Sequence, residues 1–112
     1  MKPYVSYIPK TIGEIHELVG WMVLAAPKME DDSGYFPGQS LETEFHALRE
    51  GLNFSRNRIG EEKYAKLTEL ADRTLQFFKA DPDDKTGDAD LGLACLFEME
   101  AILIASARRT KK

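Results

Sequence analysis

The stretch "LETEFHALREGLNFSRNRIG", residues 41 to 60, decides the fold. Leu41, Phe45, Leu48, Leu52, Ser55 and Ile59 recur at three- and four-residue steps, which puts them on one side of an α-helix and the charged residues on the other. Ser40 stands where an N-cap hydroxyl is needed, and Gly60 where a helix stops. The spacing therefore predicts a helix over 40–59. Residues 61–80 repeat the pattern, with Tyr64, Leu67, Leu70, Ala71, Leu75 and Phe78 inward and Glu61 and Glu62 at the positive end of the helix dipole. A connection this short folds two such helices back on each other as antiparallel neighbours.

The same logic extends in both directions. Upstream, Thr11 and Glu14 have capping-box spacing, and Ile12, Ile15, Val19, Met22, Val23 and Ala26 form a stripe that ends at Pro27. This predicts a helix over 11–26, with Trp21 and Leu24 widening its apolar side and Gly20 permitting close packing. Downstream, Pro82 and Gly87 interrupt helical periodicity, and a last helix is expected over 88–109. Its middle, "LGLACLFEMEAILIAS", is apolar on most faces, as suits either a central strut or a helix half committed to an interface. The strut is the first reading, since small bundles often contain one such helix. The expectation is an all-α, single-domain, up-down four-helix bundle over 1–112, with residues 1–10 as a short extended arm.

Composition narrows the functional classes. Apolar residues make up 43% of the 112 and charged residues 30%, a globular rather than a disordered balance. Fifteen basic residues against nineteen acidic give a net charge of −4, so the chain as a whole repels phosphate backbones and no nucleic-acid partner is expected. Cys95 is the single cysteine, which excludes an internal disulfide and suits a reducing, cytoplasmic compartment. The N-terminus lacks the apolar run of a signal or anchor, and no membrane partner is expected.

Catalytic and metal signatures do not form. Starting a calcium loop at Asp81 puts Lys85 fifth, Thr86 sixth and Gly92 twelfth, where an oxygen ligand, glycine and glutamate are required. Neither His16 nor His46 has a glutamate three residues earlier, as a di-iron bundle would need. Glu42, His46 and Glu50 share a helix face, a spacing that equally describes surface pairs. Phosphate loops, nucleophile elbows and zinc-protease helices are missing, so no cofactor, metal or enzymatic activity is expected.

What remains is charge beside aromatics. Asp81, Asp83, Asp84, Asp88 and Asp90 face only Lys85 in their segment, and Glu30, Asp31 and Asp32 form a second acidic turn. In an up-down bundle these two loops lie at one end, where carboxylates around Tyr35 and Phe36 would steer and anchor a basic partner. The alternative is a solvated loop with a hydrophobic staple at the helix start. The partner-binding candidates are Tyr35, Phe36, Glu30, Asp31, Asp32, Asp81, Asp83, Asp84 and Asp88. A different reading makes the chain an oligomeric structural or regulatory protein that forms a homodimer through its last helix.

The order "YFPG", then "LETEFHALREGLNFSRNRIG", then "YAKLTELADRTLQFF", an acidic Asp-Pro linker and a last helix rich in small residues resembles the small all-helical immunity proteins of type VI secretion. Within that group it is similar to the family that neutralises NAD(P)-hydrolysing effector toxins, over residues 35 to 105. The resemblance implies a cytoplasmic bacterial protein that binds one cognate toxin domain and blocks its active-site cleft without turnover.

Overall fold

The computed structural model describes residues 7–29 and 40–109, with side chains as far as Ser106. Among these residues the chain is all-helical: α1 (Ile12–Ala25), α2 (Leu41–Phe54), α3 (Arg56–Ile59), α4 (Glu61–Ala80) and α5 (Asp88–Arg109). α5 packs along α4 and α1, and α2 packs on α4, so the helices close around one core. The smallest principal extent is 18 Å, enough for two layers of helices at the usual 8–10 Å spacing.

The caps form where the sequence placed them, with one change of partner. Thr11 Oγ1 accepts from the Glu14 N–H at 3.0 Å, while the Glu14 carboxylate accepts from the Lys10 N–H at 2.8 Å rather than from that of the cap residue itself. Tyr7 also donates to Glu14, at 3.1 Å. Ser40 closes a reciprocal box with Thr43: the Ser40 N–H donates to Thr43 Oγ1 at 2.9 Å and the Thr43 N–H to Ser40 Oγ at 3.4 Å. α1 ends because Ala26, before Pro27, is extended at φ −60°, ψ 151°.

The predicted 40–59 helix is broken at Ser55, whose φ of −97° and ψ of 11° take it out of the helical region. Asn53, Ser55 and Asn57 are all weak helix formers, and here this local preference prevails over the helical apolar spacing around it. Ser55 is buried, and its hydroxyl oxygen has no hydrogen-bond partner. The corner is held instead by Arg56, which grips Glu61 with two bonds of 2.8 Å and lies 4.5 Å from the Tyr64 ring centroid. Gly60 supplies the turn with φ +93°, a conformation that side-chain-bearing residues rarely adopt.

The core is formed by Ile15, Val19 and Met22 of α1, Phe45, Leu48 and Leu52 of α2, Leu67, Leu70 and Phe78 of α4, and Leu96, Met99 and Leu103 of α5. Phe45 and Phe78 meet edge to face, centroids 6.4 Å apart at 70°. Trp21 is only partly buried against this cluster, and Leu24, expected on the apolar side of α1, is 85% exposed. Close approach depends on Gly51 and Gly92 rather than Gly20. A Cβ at Gly51 would lie 3.0 Å from Pro9, and one at Gly92 would lie 2.5 Å from the Phe78 ring, whereas at Gly20 the nearest atom is a Glu100 oxygen at 3.9 Å.

The last helix is not a strut wrapped on every side. Cys95, Leu96, Met99 and Leu103 are buried, while Leu91, Ala94, Phe97, Ala101 and Ile104 are exposed. α4 and α1 lie on its flanks, and among the described residues no further helix packs on the outer surface of α5. Among the described residues no helix is long and apolar enough to cross a membrane.

Candidate functional site

The end of α1 and the α4–α5 loop come together. Leu24, Ala25, Ala26, Pro27 and Lys28 on one side and Pro82, Asp83 and Asp84 on the other line an open cleft of about 390 Å³. Lys28 Nζ lies 3.5 Å from Asp83 Oδ1 across it. Both partners are more than half exposed, so this pair contributes little stability and is easily exchanged for another.

The carboxylates of the loop divide into two kinds. Asp81 ends α4 and is buried, its Oδ1 accepting from the N–H groups of Lys85 at 2.6 Å and Thr86 at 3.1 Å, its Oδ2 from Ala89 at 3.0 Å. It therefore closes the loop and caps the start of α5. Burial pushes its carboxyl up, but the three backbone donors outweigh this and hold it below the ordinary aspartate value. Asp83 and Asp84 are exposed, and Asp84 takes the left-handed conformation at φ +56°, which aspartate tolerates better than most residues. Asp88 is half-buried and accepts from the Thr86 hydroxyl at 3.1 Å. Thus of the four loop aspartates named from sequence, one is internal and two stand at the cleft.

Tyr35, Phe36, Glu30, Asp31 and Asp32 lie outside the described residues. Met29, the last described residue before them, is fully buried at φ +58°. Sequence reasoning missed Leu24 as a site residue. Its position in a helical apolar stripe pointed inward, and only the packing of α1 against α5 and α2 leaves it facing out beside the acidic loop.

The arrangement offers an exposed apolar side chain next to carboxylates. Glu42, His46 and Glu50 are exposed on α2, and among the described residues no group of three or more His, Cys, Asp or Glu side chains is placed to hold a metal. Cys95 is a buried free thiol within the core. Comparison of the chain with protein-family models, curated proteins and solved structures found no match.

Proposed function

We propose that this protein is a non-catalytic, cytoplasmic binding protein of the immunity type, which captures a cognate toxin domain and occupies its active-site cleft. In this reading the chain is an up-down four-helix bundle, with α3 as an appendix to α2 and residues 7–10, the described part of the expected arm, laid on it at the Pro9–Gly51 contact. The observation that carries the proposal is Leu24, 85% exposed at the rim of a cleft whose other wall bears Asp83 and Asp84. An apolar anchor ringed by carboxylates suits a basic, phosphate-recognising surface: the charges raise the encounter rate and the anchor supplies contact area. The partner is a protein rather than nucleic acid or membrane, and no cofactor takes part.

The test is capture of a secreted toxin domain encoded beside this chain, by calorimetric titration and by protection of cells expressing the toxin. Leu24→Asp and the pair Asp83→Lys, Asp84→Lys should each weaken capture at least tenfold while leaving helicity intact. Wild-type affinity in both variants would remove the cleft as the docking site, and turnover of a substrate by the isolated chain would remove the reading itself.

A further inference from the structure

The cleft between the end of α1 and the α4–α5 loop already holds a cation of this chain. Lys28 is the one cation among its described lining residues, and its Nζ stands 3.5 Å from Asp83 Oδ1 on the opposite wall. That is longer than the roughly 2.7–2.9 Å of a charge-assisted hydrogen bond, and water reaches both side chains. Asp84, on the same wall, is exposed, and its carboxylate has neither a hydrogen bond nor an ion pair among the described residues. The rest of the lining, Leu24, Ala25, Ala26, Pro27 and Pro82, carries apolar side chains.

We infer that this cleft receives an arginine side chain of the partner protein, with Lys28 as the placeholder that it displaces; the inference rests on the reading of the cleft as the docking site. A guanidinium presents five N–H donors in one plane and bonds two acceptors at once, whereas an ammonium is a compact, strongly hydrated point charge. A partner lysine would exchange like for like with Lys28 and gain nothing. An arginine gains the Asp84 carboxylate, which Lys28 leaves unpaired, and rests its weakly hydrated faces and its stem against Leu24 and the two proline rings.

The acidic wall is set before the partner arrives. The Asp84 N–H donates to the Asp81 carbonyl at 3.2 Å, and the Asp81 carboxylate holds the N–H groups of Lys85, Thr86 and Ala89, so little of the turn remains to be ordered on binding. A volume of about 390 Å³ lies at the small end of ligand-sized pockets, room for one side chain rather than a folded segment. Because the cleft is open, the main chain that carries the arginine stays outside it, beside the exposed Leu24. The two carboxylates repel anionic ligands, and among the described residues they belong to no group of three that could hold a metal.

Titration of the isotope-labelled protein with N-acetyl-arginine amide, followed by amide chemical shifts, tests this. A single side chain binds weakly, with a Kd on the order of 1 mM, so the titration runs to about 50 mM. Shifts should gather on residues 24–28 and 83–84, and N-acetyl-lysine amide should bind at least about fivefold more weakly. Lys28→Met should tighten binding of the arginine compound about threefold by removing its competitor. Asp83→Asn combined with Asp84→Asn should abolish the shifts and leave the circular dichroism spectrum unchanged, since both side chains are exposed. An absence of shifts on these residues overturns the inference. So does equal binding of the two compounds, which marks diffuse charge, an affinity indifferent to Lys28→Met, or shifts that survive the loss of both carboxylates. The toxin takes no part in this titration: failure here with toxin capture intact removes the arginine site alone, and arginine binding without toxin capture removes the immunity reading alone.

Discussion

Replacing Gly92 with alanine tests the packing that brings α4 and α5 together next to the acidic loop. The added Cβ would lie 2.5 Å from Phe78 Cε1, 2.8 Å from Cδ1 and 3.1 Å from Cζ. Carbon atoms in contact prefer about 3.5–4.0 Å, so the overlap amounts to roughly 1 Å against the ring edge. Phe78 cannot yield easily, being fully buried and set edge-on to Phe45. Relief then requires α5 to lift from α4 or the ring to leave its rotamer, and overpacking of this kind costs about 1–3 kcal/mol. With a fully buried ring in the way the cost belongs in the upper part of that range, about 2–3 kcal/mol, and recovering about 1 kcal/mol of helix propensity leaves a net loss of about 1–2 kcal/mol. At about 4–8 °C per kcal/mol for a domain near this size, the melting temperature should fall by roughly 5–15 °C. Urea unfolding followed at 222 nm should show a lower midpoint with an unchanged slope. The double variant Gly92→Ala, Phe78→Leu should lose less than the sum of its parts, since shortening the ring frees the space that the methyl group fills. A Gly92→Ala protein as stable as wild type would refute the reasoning, because it would mean that α4 and α5 are not in this contact.

Gly20→Ala is the matched control: with only a Glu100 oxygen at 3.9 Å it should stabilise the protein by about 0.5–1 kcal/mol, and a loss in the same urea assay would contradict the packing of α1 on α5. Gly51→Ala should cost less than Gly92→Ala, because the 3.0–3.2 Å contacts are with Pro9 on a chain segment outside the helices, which can shift by a few tenths of an ångström. Asp81 has its folded carboxyl below the unfolded value, so its stabilisation is fully present above about pH 3.9 and is lost as pH falls through the lower folded value. Asp81→Asn should therefore melt below wild type at pH 7, the gap closing in melts carried toward pH 2; a gap that persisted in acid would show that the three N–H bonds do not depend on the charge. Leu24→Asp should leave the melting temperature nearly unchanged, whereas a fall of more than a few degrees would mean that the side chain is packed rather than exposed.

The sequence by itself determined the helices and their inner faces. Caps at Thr11 and Ser40, breakers at Pro27, Gly60 and Pro82, and stripes such as Leu67–Leu70–Ala71–Phe78 act within a few residues, so they can be read without knowing what lies opposite. The break at Ser55 is written locally too, in three weak helix formers that apolar spacing read alone conceals. Tertiary structure decided everything that depends on a neighbour distant in sequence. Asp81 looks like its exposed companions in "DPDD" until the fold brings the N–H of Ala89 to its carboxylate, and Leu24 looks like core until α1 is turned against α5. Gly20 and Gly92 are indistinguishable as letters, and only the position of the Phe78 ring makes one replaceable and the other not. The even spread of apolar residues along α5 could not say which side the other described helices leave exposed. Two layers of helices settled that, because a face is buried only where another element is present to cover it.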